Sequence, residues 1–211
     1  MRSAFSLTFP ASWQRADLRR DSTIECERLS RAAFEGLPDR DSREVVLARR
    51  RFQVALLRPV TRARAIGALD LYFSAGTRRT GIGPMSLMSF VASADKQERE
   101  SAKTLVRLGL QSMSISVFET RDMTWSRSIQ RTSKTVDEWS AVLLEGVARD
   151  ATAGTAESSD ILSQGSVHYA TGIPASPGEF LVLSGSTLGT SLLGAQIAHL
   201  DSIVRTFAWT G

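Results

Sequence analysis

The chain has 211 residues, 42% of them hydrophobic and 23% charged, which are ordinary values for one folded domain whose core needs no disulfide or metal. The formal charge is +4, from 26 basic against 22 acidic residues, and a single cysteine, Cys26, excludes an internal disulfide framework. No stretch approaches a membrane span and the Met1–Phe5 start lacks the apolar run of a signal peptide, so a soluble, cytoplasmic domain over residues 1–211 is predicted.

Phe5, Leu7 and Phe9 alternate with Ser6 and Thr8, the pattern of a short strand with one buried face. Pro10 ends it, and Trp13 follows as a plug at the edge of the core. Residues 17–37 are polar and weakly patterned, part loop and part helix. Asp39 to Asp41 are placed to cap the next segment, because a short carboxylate satisfies free amides at a helix start. Val45, Ala48, Phe52 and Leu56 then recur at helical spacing, with the arginines mainly off that stripe. Pro59 is expected to end or kink the helix, since it lacks a donor N–H. A turn or further helix runs to Gly67, a C-cap glycine.

Ala68 to Ser74 reads as a strand, residues 75–83 as a hairpin turn, and Met85 to Val91 as the returning strand. A helix is predicted from about Asp95 to Leu108. Met113, Ile115 and Val117 alternate with serines, which predicts that they form the buried face of a strand. Residues 124–136 are polar and read as a strand or a long hairpin loop. Trp139 to Arg149 reads as a strand, followed by a small, polar connection. Val167 and Tyr169 open another strand, residues 172–178 form a turn with two prolines, and Phe180 to Ser184 is a strong strand. Leu193, Ile197, Leu200 and Val204 run down one face of a final helix, with Phe207 and Trp209 pinning the end of the chain. Hairpins separated by single helices predict an α+β fold, with helices packed on an antiparallel sheet.

The chemistry-bearing residues are few. His168, flanked by Val167 and Tyr169, points away from the face they share, and His199 lies beside the stripe of the last helix. A zinc site needs three or four ligands, and one cysteine with two scattered histidines does not supply them. Cys26 sits in no nucleophile setting, so an enzyme would need it, His168 or His199 to meet a carboxylate in space. There is no Gly-x-Ser-x-Gly elbow, and Gly76, Gly81 and Gly83 match neither phosphate-loop pattern. Glu98, Glu100, Asp137, Glu138 and Asp160 lie in mixed-charge or polar segments, as solvated carboxylates do. No catalytic, cofactor-binding or metal-ligating residue is identified, and the chain is read as no enzyme.

Arginine is the conspicuous residue. Arg49-Arg50-Arg51, Arg58, Arg62 and Arg64 follow a region in which acids fade after Glu44. Arg50 and Arg51 on the long helix, with Arg78 and Arg79 at the hairpin tip, are the candidate partner contacts, on exposure and shared charge. Nucleic acid is disfavoured as the partner, because phosphate binders show a larger net excess or an added aromatic surface.

Several stretches together resemble actinobacterial proteins of the Mog1/PsbP-like fold. The N-terminal part is Leu7-Thr8-Phe9-Pro10-Ala11-Ser12-Trp13, then the arginine-rich helix to Gly67 and the strand Ala68 to Ser74. The clearer part is Val167-His168-Tyr169, Ile173-Pro174, the Pro177-Gly178 turn, Phe180 to Ser184, Ser186-Thr187, and the helix into Leu200-Asp201-Ser202-Ile203-Val204-Arg205-Thr206-Phe207-Ala208-Trp209. Leu200 stands where similar proteins often have Phe, and Gly189 where a proline often follows the threonine. The resemblance implies an α/β/α sandwich, with Tyr169, Val182, Ile203 and Trp209 as core and Asp201 as a capping or hydrogen-bond partner. It carries no catalytic residue across. Proteins of that fold commonly serve as binding or assembly factors, and some similar proteins look like accessory parts of secretion or toxin systems. The expected function is a protein-binding accessory or adaptor, with a homodimer among its forms. A small-molecule or lipid-binding module, with an enclosed apolar pocket, is the alternative.

Overall fold

A computed structural model describes residues 5–35, 39–74, 85–94, 100–110, 115–120, 123–135, 161–174, 176–189 and 193–210. The predicted turn at 75–83, and the expected strand at 139–149 with its small polar connection, lie outside these residues.

Among the described residues, nine strands and four helices follow one another as β1 (Phe5–Ser6), β2 (Trp13–Ala16), α1 (Ser22–Phe34), α2 (Arg43–Ala65), β3 (Asp70–Ser74), β4 (Met85–Ser93), α3 (Ser101–Arg107), β5 (Ile115–Glu119), β6 (Thr124–Thr135), β7 (Ile161–Gly172), β8 (Glu179–Gly189), α4 (Leu193–Val204) and β9 (Ala208–Trp209). Seven strands form one sheet in the order β2-β3-β4-β8-β7-β6-β5, and β1 pairs with β9 in a separate ribbon. Every pair among the described residues is antiparallel. The fold is α+β, as the order of hairpins and single helices predicted.

Alternation along the strands divides the core in two. Met85 and Leu87 on β4, Val167 and Tyr169 on β7, and Leu181 and Leu183 on β8 share one face with Trp13, Phe118 and Trp125. On that face α4 lays Ile197, Leu200, Ile203 and Val204 against the sheet. Gly185 lets it come close, because a Cβ there would stand 2.8 Å from Leu200 Cδ1 and 3.2 Å from Val167 Cγ1. The β1–β9 ribbon closes the same layer, with Phe5 stacked on Phe207 at 5.5 Å and Trp209 edge-on to Phe207. Phe5, Leu7 and Phe9 are half-buried against this core while Ser6 and Thr8 are exposed, as alternation predicted, although only Phe5 and Ser6 are paired. Trp13 is a core residue, as predicted, and it also opens β2.

The opposite face is covered in two places. Under α1 and α2 lie Ala16, Cys26, Leu29, Leu56, Val60, Ala63 and Leu71. Under α3 lie Ala92, Leu105, Ala170 and Val182.

Residues 17–35 are part loop and part helix, as expected: residues 22–34 form a regular helix, capped by Asp21, whose carboxylate accepts the amides of Thr23 and Ile24. Its inner face is Ser22, Glu25, Cys26, Leu29 and Ser30, too polar to register as a stripe. The cap of α2 is not within Asp39 to Asp41 but is Ser42, whose Oγ accepts from Val45 N at 3.3 Å; Asp39 instead turns the chain with a φ of 56°. Pro59 does not end α2, which runs through it to Ala65. Pro59 and Ala55, the residue four before it whose carbonyl loses its donor, are both exposed, so the missing hydrogen bond lies on the side of α2 that faces solvent. Gly67, with a φ of 69°, does terminate the helix as expected, and the Ala68 amide returns to Ala63 O. Finally, Val117 is not on a buried face. It is 71% exposed and Phe118 is buried instead, because β5 is the outermost strand among the described residues and its Phe118 side meets Tyr169, with ring centroids 5.2 Å apart.

Candidate functional site

The longest helix carries the most exposed apolar surface among the helices described. At 3.6 residues per turn, each residue of α2 advances about 100°. Leu56, Val60 and Ala63 therefore share one side, and all three are buried beneath α1 and β3. Phe52 joins them half-buried, with its ring 5.8 Å from that of Phe34. On the far side the same arithmetic aligns Leu47, Arg50, Arg51, Val54, Leu57 and Arg58. Each of these is exposed, with Leu47 at 44%, Val54 at 47% and Leu57 at 38%. The outward face of α2 is thus a mixed stripe of aliphatic and guanidinium groups.

Arginine pairing differs sharply between this helix and the segment before it. Arg15 bridges to Asp70, Arg20 to Asp17 at 3.2 Å, Arg28 to Glu25 at 2.5 Å and Arg31 to Glu27 at 2.6 Å. Burial alone would raise the Glu25 carboxyl. Hydrogen bonds from Arg28 and the Asp17 amide, with the charge of Arg28, outweigh that and hold it below the ordinary range. Among the described residues, neither Arg50 nor Arg51 meets a carboxylate. Both cations are presented outward on the exposed face of α2.

Among the described residues, Cys26, His168 and His199 do not converge. Cys26 is buried under α2, where desolvation, reinforced by Glu25 and Asp21, pushes its thiol up to about 11. His199 is on α4, across the sheet, with its ring stacked 6.2 Å from Trp13. His168 faces away from Val167 and Tyr169, as alternation required, and is buried at 5% exposure. Its Nδ1 pairs with Ser184 Oγ at 2.9 Å, its Nε2 is buried with no hydrogen-bond partner among the described residues, and desolvation pushes the ring down to about 4. Among the described residues, no carboxylate pairs with this imidazole as the third member that would activate a nucleophile. Among the described residues, no three His, Cys, Asp or Glu side chains gather to hold a metal.

One buried polar constellation is structural. Asp201 on α4 accepts from Tyr169 Oη through one oxygen and from Arg127 through the other at 2.6 Å. Burial first, and then the Asp201 charge, push the Tyr169 hydroxyl far above its ordinary value. The guanidinium of Arg127 lies 5.7 Å from the Phe118 ring centre. The group ties α4 to β6 and β7.

Of the four candidate contacts, Arg50 and Arg51 stand exposed on one helix face, while Arg78 and Arg79 lie outside the described residues. Leu47, Val54 and Leu57 were not singled out from sequence. The signal was there, since Leu47 and Val54 are seven residues apart and opposite the inner stripe, but one strong apolar stripe masks a second. Among the described residues, no helix is long and apolar enough to cross a membrane. No family model and no curated protein matches the chain.

Proposed function

We propose that this chain is a non-catalytic accessory or adaptor protein that acts by binding another protein in the cytoplasm, through the outward face of α2. The observation that carries the reading is the alignment of Leu47, Val54 and Leu57 with Arg50 and Arg51 on one exposed helix face. The buried core of a protein interface is more apolar than the surface around it and is enriched in arginine, which carries a planar, directional charge on an apolar stem. Helices on both faces of an antiparallel sheet support placing the fold with the Mog1/PsbP-like group. A link to a secretion or toxin system rests on that resemblance alone.

The test is a tagged pull-down from the native organism at moderate and high salt, read by mass spectrometry, with the Leu47→Asp/Val54→Asp chain beside the original. A stoichiometric protein held by the original and lost by the variant supports the reading. Recovery of the original chain alone at both salts overturns it.

A further inference from the structure

Resting on that docking role, we infer that the partner presents an acidic amphipathic helix, whose apolar stripe covers Leu47 and Val54 while its carboxylates pair with Arg50 and Arg51. Three observations converge on this class. The first is charge. Residues 45–69 hold six arginines and no acid, and Arg50 and Arg51 have no carboxylate among the described residues. The second is shape. The exposed stripe from Leu47 to Arg58 is about 17 Å long at 1.5 Å per residue, roughly three helical turns, and it lies on one helix. An extended strand needs an edge with free backbone groups, and a helix face has none to offer. The third is the interleaving of apolar and basic groups. Leu47, Arg50 or Arg51, Val54 and Arg58 recur three or four apart, which is the spacing at which a facing helix places its own side chains.

The same facts argue against the other occupants. A second copy of this helix would set like charges against one another, and α2 has only Glu44 to answer them. A nucleic acid would use the arginines but leave Leu47, Val54 and Leu57 against its phosphates.

A displayed library of helical peptides, with apolar residues fixed at heptad positions and all other positions random, separates the possibilities. It is panned on the full chain and on the Arg50→Glu/Arg51→Glu variant, whose fold is checked by circular dichroism. Both substitutions are at exposed positions, and Arg50→Ala/Arg51→Ala serves in their place if the reversal unfolds the chain. The original is expected to enrich Glu and Asp beside the apolar stripe. The charge-reversed chain is expected to enrich Lys and Arg, or the alanine chain to show no charge preference. The best peptide should bind the variant at least about tenfold more weakly and should lose affinity to Leu47→Asp/Val54→Asp. Peptides with no acid bias, the same bias on both chains, or displacement by duplex DNA as readily as by free peptide would each overturn the inference. A native partner that still depends on Leu47 and Val54 would then leave the adaptor reading standing and remove only its acidic helix. Loss of both would remove both.

Discussion

Replacing Asp201 by alanine tests whether the polar group under α4 holds the fold together. The carboxylate serves Tyr169 and Arg127 at once, so its removal leaves a buried hydroxyl and a nearly buried guanidinium without their acceptor. Removing one member of a wholly buried ion pair costs about 3–5 kcal/mol, chiefly because the other charge stays behind. Here the side chains of Arg127 and Asp201 keep 19% and 13% exposure, so water relieves part of that penalty. We expect a loss of about 3 kcal/mol, which for a chain of this length lowers the melting temperature by roughly 6–12 °C. Urea unfolding at neutral pH, followed by tryptophan fluorescence, measures it, because Trp125 packs 6.5 Å from Tyr169. Tyr169→Phe should cost only about 1 kcal/mol, since Asp201 keeps Arg127. An Asp201→Ala chain within about 1 kcal/mol of the original would refute the reasoning and show that solvent already carries these groups.

Gly185→Val should destabilise by about 1–3 kcal/mol, because its side chain meets Leu200 and Val167 under α4; an unchanged urea midpoint would show that the helix can move away. The His168 ring is pushed down from 6.5 to about 4, so the unfolded chain takes up a proton before the folded one does. Stability is then complete above about pH 6.5 and falls as pH drops towards 4, by about 2 kcal/mol at pH 5, and a His168→Gln chain with the same acid dependence would disprove it. Cys26, buried with its thiol pushed up to about 11, should resist thiol reagents in the native chain at mild alkaline pH and react once denatured, whereas rapid native labelling would contradict the burial.

Local alternation was the legible part of this fold. Tyr169 and His168 could be assigned to opposite sides of β7 because a strand has a period of two, and the stripe Leu193–Ile197–Leu200–Val204 defined α4 because a helix has one of 3.6. What local patterns do not contain is who stands opposite. Val117 is patterned for burial, yet nothing in the chain nearby says that its strand is the last of seven. Glu25 is patterned for solvent, yet it is fully buried because Arg28 and the Asp17 amide close around it. Pro59 is patterned to break a helix, and its tolerance depends on which side of α2 faces water. The candidate site was half legible for the same reason. Arg50 and Arg51 are visible as charge, but only the packing of Leu56, Val60 and Ala63 decides that Leu47 and Val54 face outward with them.

The arrangement of charge on α2 carries its own consequence for stability. A net charge of +4 over the whole chain conceals a stretch, residues 45–69, that carries six positive charges and none negative. Arg58 and Arg62 are four apart on one helix, whereas Arg20 and Arg28 on the segment before it each stand three residues after a carboxylate, Asp17 and Glu25, so like charges are neighbours where the earlier arginines meet acids. Such repulsion disfavours the free helix by a few tenths of a kcal/mol per pair and is relieved by screening. Salt must then act in opposite directions on the free chain and on a complex with an acidic helix. Adding sodium chloride should raise the unfolding midpoint of the free chain, and should do so less for the exposed Arg62→Glu reversal, which turns that like-charged pair into an opposite one. The same addition should weaken capture of an acidic peptide. A free chain that loses stability with salt, equally with and without the reversal, would mean that the surface arginines of α2 are already answered within the molecule and are not held ready for a partner.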